Sequence, residues 1–199
     1  MWWPVFFSVL IILALYLAAV YNALLAKRRR VKQGWNKVNA QLKQRLERIS
    51  AIINIVKDHI DVEAPAWKEL LLVHAESSQA KGIRKKEKSE RDLFLAVSAL
   101  SVIVEENKQL MENPELLQAA DRMGMGEEAL QIARVEYNYA VLQFNNALKS
   151  PLNSLIAMLI QLSAVPFFQL EEMEAISAMV AAAEKTPVSN QLTEQKAIR

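Results

Sequence analysis

The sequence predicts an all-α fold in which an amino-terminal transmembrane helix continues into a long antiparallel four-helix bundle. Glycine and proline are scarce, at 4 and 6 of 199 residues, while the helix-favouring Leu, Ala, Glu, Lys and Gln are abundant. An uncharged apolar run at residues 2–26 precedes a basic cluster. Beyond it, apolar residues recur at three- and four-residue spacing, as in a helix with one buried face. The length accommodates one anchor and one domain of roughly 120 residues.

The predicted anchor occupies residues 1–26. The run WWPVFFSVLIILALYLAAVYNALLA carries no charged side chain and has about the length needed to cross a hydrocarbon core near 30 Å thick. A cleaved signal peptide would place its positive charge before the apolar run, whereas here the charge follows it. Aromatic rings favour the headgroup level of a bilayer, and the predicted span contains Trp2, Trp3, Tyr16 and Tyr21.

A basic collar follows the apolar run and consists of Lys27, Arg28, Arg29, Arg30 and Lys32. Positive charge concentrates on the cytoplasmic side of membrane spans, so the amino terminus is expected outside and the large domain in the cytoplasm. The collar is also suited to contact anionic lipid headgroups. The alternative is a solvated start of a helix, with no consequence for topology.

The first bundle helix is predicted at residues 27–60. Its apolar stripe includes Val31, Val38, Leu42 and Ile49, and it is interrupted by Arg45. We expect the Arg45 side chain to lie along the stripe with its guanidinium in water, rather than to form a buried functional charge.

Three further helices are predicted at residues 65–82, 87–112 and 114–149, which completes a bundle over residues 27–149. Pro65 suits the first turn of the second helix, Gly82 suits a turn, and Asn113 with Pro114 ends the third helix. Two glycines in the sequence MGMGE at residues 123–127 predict a bend or local break in the fourth helix.

An apolar segment follows the fourth helix and is short for a second span. Buried, interfacial and re-entrant positions remain open, but an up-and-down bundle returns its fourth helix to the membrane, which favours a place in or on the bilayer surface. Its membrane-surface candidates are Leu155, Ile156, Leu159, Ile160, Phe167 and Phe168. Residues 150–185 are predicted to comprise this segment and a short helix, and residues 186–199 a disordered polar tail.

Charge along the chain has a pattern that the net value of +2 conceals. Residues 81–91 carry six positive and two negative side chains, and the bundle topology turns this stretch toward the membrane, although a solvated loop remains an alternative. The small net charge makes a nucleic-acid partner unexpected. The absence of Cys excludes disulfides and thiol chemistry.

No catalytic motif is visible. The sequence lacks a glycine-rich phosphate loop, a nucleophile elbow and an HExxH motif, and we expect no cofactor and no small-molecule substrate. His59 with Asp58, Asp61 and Glu63 could form a cation site, but acidic residues at a helix end are ordinary caps. His74 is interpreted as a packed or surface residue.

Three stretches resemble the LemA family of bacterial membrane-anchored helical proteins. They are YNALLAKRRRVKQGWNKVNAQLKQRLERISAIINIVK at residues 21–57, IARVEYNYAVLQFNNAL at 132–148 and SPLNSLIAMLIQLSAVPFFQLEE at 150–172. The polar middle at 76–92 matches only in character. The resemblance implies an amino-terminal anchor and a bromodomain-like four-helix bundle at the bacterial inner membrane or a compartment derived from it. It brings no catalytic residues.

Asparagines interleaved with aromatic residues on the fourth helix are the most suggestive polar groups. They either bond to neighbouring backbone or fix the register of a helix interface, since a polar group near a seam selects one pairing. The interface candidates are Trp35, Asn39, Tyr137, Asn138, Phe144 and Asn145. The leading hypothesis is a non-enzymatic scaffold that self-associates at the membrane. The alternatives are a regulatory adaptor for a membrane protease or signalling protein and, less favoured, a metal-dependent hydrolase using His59.

Overall fold

Six helices and one extended segment make up residues 2–169, the part of the chain that the computed structural model describes. The helices are α1 (Trp3–Val56), α2 (Pro65–Gln79), α3 (Ile83–Glu106), α4 (Lys108–Met111), α5 (Pro114–Leu148) and α6 (Pro151–Leu159). The extended segment at residues 162–168 is called the strap below. No strand occurs among the described residues, so the all-α prediction is confirmed. The predicted tail at 186–199, and the predicted short helix beyond residue 169, lie outside the described residues.

Helix α1 joins the apolar run to the rest of the fold without a break. It has 54 residues, which corresponds to roughly 80 Å at the α-helical rise. Pro4 lies in its first turn, where a missing N–H costs nothing. Within residues 2–169, α1 is the one helix that is long and apolar enough to cross a membrane, judged by length and composition alone. An 18-residue stretch of it has a mean hydropathy of 2.4, and none of that stretch is buried.

The helices pack in two pairs, α1 along α5 and α2 against α3. Contacts run in opposite order along α1 and α5, because Lys37 reaches Glu136 while Arg48 lies over Gly126. At the end of α1 remote from the apolar run, the two pairs share one core. Its buried members are Ile49, Val56, Ile60, Trp67, Leu70, Val73, Leu93, Ala96, Leu100, Leu110 and Leu116.

Asparagine side chains set the boundaries around α4. Asn107 Oδ1 accepts hydrogen bonds from the backbone N–H groups of Gln109 and Leu110, and Asn113 caps α5 in the same way. An Asn side chain competes with the backbone for these donors, so the predicted helix at 87–112 is divided at Asn107. Gly82, with φ of 83°, ends the connection between α2 and α3, and α3 begins four residues before the predicted start.

The predicted local break at residues 123–127 is absent, because α5 is continuous through both glycines. Gly126 is buried beneath the guanidinium of Arg48, whereas Gly124 is exposed. Packing against α1 therefore overrides the low helix propensity of glycine here.

The basic stretch at residues 81–91, called the basic turn below, does not lie near the apolar run. Lys81 and Gly82 line a cavity of about 510 Å³ together with Asn39 and Lys43 of α1. Asn39 lies about 20 Å along the helix from Ala26, which exceeds the screening length of about 8–10 Å at physiological salt. This position favours the alternative of a solvated loop, because the stretch packs against a part of α1 that lies away from the apolar run.

Candidate functional site

Two asparagine side chains on α5 hold the strap. The side-chain amide of Asn145 donates to the Val165 carbonyl at 2.8 Å and accepts from the Val165 N–H at 3.0 Å. Asn138 makes the same pair of bonds to Phe168, at 2.9 Å and 2.8 Å. Each side-chain amide therefore replaces the neighbouring strand that an extended backbone would otherwise need.

The spacing of the two asparagines matches the spacing of their targets. Seven residues of α-helix rise about 10.5 Å, and three residues of extended chain span about 10 Å. Asn138 and Asn145 therefore meet Phe168 and Val165 without distortion of either element. Because both contacts are to backbone atoms, they fix the register of the strap on α5 independently of its side chains.

Aromatic side chains make further contacts with the strap. The hydroxyl of Tyr137 donates to the Pro166 carbonyl at 2.9 Å. Burial raises the pKa of Tyr137 to about 12, so the hydroxyl remains a donor throughout the physiological range. The ring of Trp35 lies 5.5 Å from that of Tyr137 and 5.6 Å from that of Phe168, so α1, α5 and the strap meet at one aromatic cluster.

Gly34 allows this close approach of α1 to α5. A Cβ atom at position 34 would lie 3.0 Å from the Cα of Tyr137. The glycine is thus required by helix packing, one residue before the Trp35 ring that closes the cluster.

Replacing Asn145 with alanine is expected to loosen the strap. It leaves the Val165 N–H and C=O without their partner, which costs about 1–3 kcal/mol when such groups are buried. Chymotrypsin should then cleave the full-length protein faster after Phe167 and Phe168. The Asn146→Ala variant is the matched control because Asn146 is exposed. Equal cleavage rates for both variants would contradict the role of Asn145 in holding the strap.

A sharp turn connects α6 to the strap. Gln161 has φ of 54°, and the Leu162 N–H donates to the Ala157 carbonyl at 2.8 Å, which is the pattern that ends many helices. The turn separates two roles within the predicted membrane segment. Helix α6 packs against both α1 and α5, and the strap then runs back along α5.

The membrane-surface candidates divide accordingly. Leu155, Leu159 and Phe167 are exposed, and Ile160 is half-buried. Ile156 and Phe168 are buried within the chain, so of the candidates these two do not present their side chains at the surface. Phe168 is enclosed because Asn138 holds its backbone and Trp35 covers its ring.

The interface candidates lie together, with one exception. Tyr137 and Phe144 are fully buried, and Asn138 and Asn145 are occupied by the strap. Trp35 belongs to the same cluster, while Asn39 is exposed beside the basic turn. The asparagines thus bond to backbone within the chain, one of the two roles considered for them. The sequence pattern gave no sign that residues 165–168 were their partner.

The other predicted groups are placed as follows. Trp2, Trp3, Tyr16 and Tyr21 are exposed on the apolar part of α1. The collar residues Arg28, Arg29, Arg30 and Lys32 are exposed on the next turns, with Lys27 half-buried. His74 Nε2 lies 2.8 Å from the Ser50 hydroxyl and so links α2 to α1. No three His, Asp or Glu side chains are grouped as a metal site would need within residues 2–169, His59 included.

Arg45 is buried, contrary to expectation. Its Nη1 donates to Glu90 Oε2 at 2.9 Å, and its Nε lies 2.8 Å from Glu127 Oε1 without the angle of a hydrogen bond. Burial raises the pKa of Glu90, while the Arg45 guanidinium acts in the opposite direction. The arginine therefore ties α1 to α3 and α5 through charge.

These features define a class of all-α protein in which a single helix carries an apolar segment into a helical domain closed by a strap. The chain belongs to the LemA family, whose sequence profile matches residues 34–182. The match begins at Gly34 and includes the aromatic cluster and the strap. Comparison with curated proteins gives no match.

Proposed function

We propose that the protein is a membrane-anchored scaffold that self-associates through the outer face of α5 and performs no catalysis. One observation carries this proposal. A second stripe of apolar residues runs along α5 on the side away from its buried residues, and 43–75% of the surface of each of these residues is exposed. They are Met125, Ile132, Val135, Tyr139 and Leu142.

The spacing of this stripe is that of a coiled-coil seam. From Ile132 to Leu142 the steps are three, four and three residues, and Met125 precedes Ile132 by seven. Such a stripe is complementary to a second copy of itself. Burying it would remove several large apolar side chains from water, each worth about 1.5–3 kcal/mol when fully covered.

Membrane anchoring is the second part of the proposal. The apolar part of α1 is exposed along its length, and α6, which packs against α1, exposes Leu155, Met158 and Leu159. We place the amino terminus outside and the helical domain on the cytoplasmic side of a bacterial inner membrane, or of a compartment derived from it, because the collar follows the apolar run.

The domain itself is proposed to be an antiparallel four-helix bundle of the up-and-down type, formed by α1, α2, α3 and α5. The reversed order of contacts between α1 and α5 and the short connection at residues 80–82 support this arrangement. Two copies anchored in one bilayer would be related by an axis along the membrane normal. Their α5 helices would then lie parallel, with equivalent residues opposite each other.

Single-cysteine variants test self-association and orientation together, because the native chain has no Cys. Val135→Cys should form a disulfide-linked dimer in membranes after mild oxidation. Val62→Cys is the matched control, since Val62 is exposed to a similar degree, 60% against 57%, but lies in the connection between α1 and α2. In intact cells, Val62→Cys should resist an impermeant thiol reagent and react after permeabilisation.

The opposite result in either experiment would contradict the corresponding part of the proposal. Monomeric Val135→Cys would contradict self-association through α5, and cross-linking of this residue to one different protein would favour a regulatory adaptor. Labelling of Val62→Cys in intact cells would reverse the orientation.

A further inference from the structure

A pocket between α1 and α5 lies directly beyond the apolar run. It has a volume of about 320 Å³, and its α1 lining extends from Lys27, the first charged residue after that run, to Lys37. These positions fall within about 15 Å along the helix. We propose that this pocket binds the phosphate of an anionic phospholipid headgroup, with Lys27 and Arg30 as its charged donors. The proposal rests on the membrane anchoring proposed above.

The charge of the pocket favours an anion. Three cations, Lys27, Arg30 and Lys37, line it together with one carboxylate, Glu136. Lys37 Nζ lies 2.6 Å from Glu136 Oε2, so these two charges compensate each other. Lys27 and Arg30 form no ion pair with any residue in the described part of the chain, which leaves two positive charges for a ligand.

The shape and the neutral groups of the pocket suit a headgroup rather than a bare ion. Gly34 and Ala140 line the pocket without placing a large side chain in it. Gln33, Gln143 and Tyr139 add neutral hydrogen-bonding groups at its wall. An arginine binds two phosphate oxygens at once, and the amide and phenol groups are suited to the remaining oxygens.

The position distinguishes this pocket from the rest of the collar. Arg28 and Arg29 follow the same apolar run but do not line it. They contribute a delocalised attraction to anionic lipid that depends only on charge and distance. Lys27 and Arg30 contribute this attraction and, in addition, direct contacts with one lipid molecule.

The test compares two double variants of the full-length protein that remove equal charge, Lys27→Gln with Arg30→Gln, and Arg28→Gln with Arg29→Gln. Binding of short-chain phosphatidylglycerol and phosphatidylcholine to the detergent-solubilised protein is measured by native mass spectrometry. The native chain should retain one phosphatidylglycerol preferentially. The first variant should weaken this binding at least about tenfold more than the second, the value of roughly one hydrogen bond to a charged group.

A third variant, Ala140→Leu, fills the pocket without a change in charge and should abolish preferential binding. Urea unfolding midpoints confirm that each variant is folded. Equal losses in both double variants would overturn the pocket and leave delocalised attraction as the explanation. Displacement of the lipid by low millimolar inorganic phosphate would identify a soluble phosphate compound as the ligand instead.

Flotation with phosphatidylcholine vesicles separates this proposal from the anchoring on which it rests. A native chain that floats, together with double variants that lose lipid equally, refutes the pocket alone. A chain that fails to float refutes the anchoring, whatever the short-chain lipid does.

Discussion

Replacing Arg45 with methionine is expected to lower the free energy of unfolding by about 3–5 kcal/mol at neutral pH, because Glu90 is then left buried without its counter-charge. Both side chains of the pair are more than nine-tenths buried, with 8% and 6% of their surface exposed. Urea unfolding of the full-length protein in detergent, followed by tryptophan fluorescence to which the buried Trp67 contributes, measures the change.

The loss should depend on pH with a defined sign. Burial already raises the pKa of Glu90 above its usual 4.5, and removing Arg45 also removes the charge that opposes this rise. A raised pKa in the folded state means that the contribution of Glu90 to stability is most favourable below pH 4.5 and is lost as the pH rises through the raised value. The difference between Arg45→Met and the native chain should therefore be larger at pH 7 than at pH 5.

Two further variants identify the cause. Replacing both Arg45 and Glu90 with methionine should recover most of the stability, since the buried Glu90 charge is gone and the side chain of Glu127, 41% exposed, remains accessible to water. Lys43→Met removes a cation from an exposed ion pair on the same helix, where the loss should stay within about 1 kcal/mol. A loss for Arg45→Met as small as that for Lys43→Met would show that the buried pair contributes little.

Arg45 also shows where prediction from the sequence stops. A single arginine in an apolar stripe is usually placed with its guanidinium in water, and only the approach of α3 brings Glu90 to it. The helices themselves were predictable because their apolar periodicity, prolines and asparagine caps are local signals. Pairings between distant segments left no such signal.

The strap is the clearest example of a pairing without a local signal. Asn138 and Asn145 were recognised as unusual, and bonding to backbone was one of their two predicted roles, but nothing in the sequence indicated which backbone they bind. Their partners are backbone atoms of an extended segment about 20–30 residues away, and backbone atoms have no sequence identity. The outer stripe of α5 was detectable as a second heptad pattern, yet the buried stripe of the same helix obscured it.

Replacing Gly34 with leucine is expected to destabilise the fold by about 3 kcal/mol, the upper part of the usual range for overpacking. Even the Cβ atom would lie 3.0 Å from the Cα of Tyr137, and backbone cannot move aside as a side chain can. The helices must separate, and the Asn138 and Tyr137 contacts with the strap weaken with them. Urea unfolding reports the loss of stability, and a matched comparison of tryptophan emission with a Trp35→Phe background isolates the contribution of Trp35, which packs against Phe168.

The other two helical glycines serve as controls. All three glycines lie inside helices, but an added side chain would meet different neighbours at each position. At Gly124 a Cβ meets nothing within 4 Å, so Gly124→Ala should stabilise α5 by about 1 kcal/mol through helix propensity. At Gly126 it meets the end of the flexible Arg48 side chain, which moves away at smaller cost than a backbone. The expected order of stability is therefore Gly124→Ala, then Gly126→Ala, then Gly34→Ala. Equal effects at positions 34 and 124 would mean that propensity alone governs these sites, and that α1 and α5 tolerate a wider separation than the aromatic cluster requires.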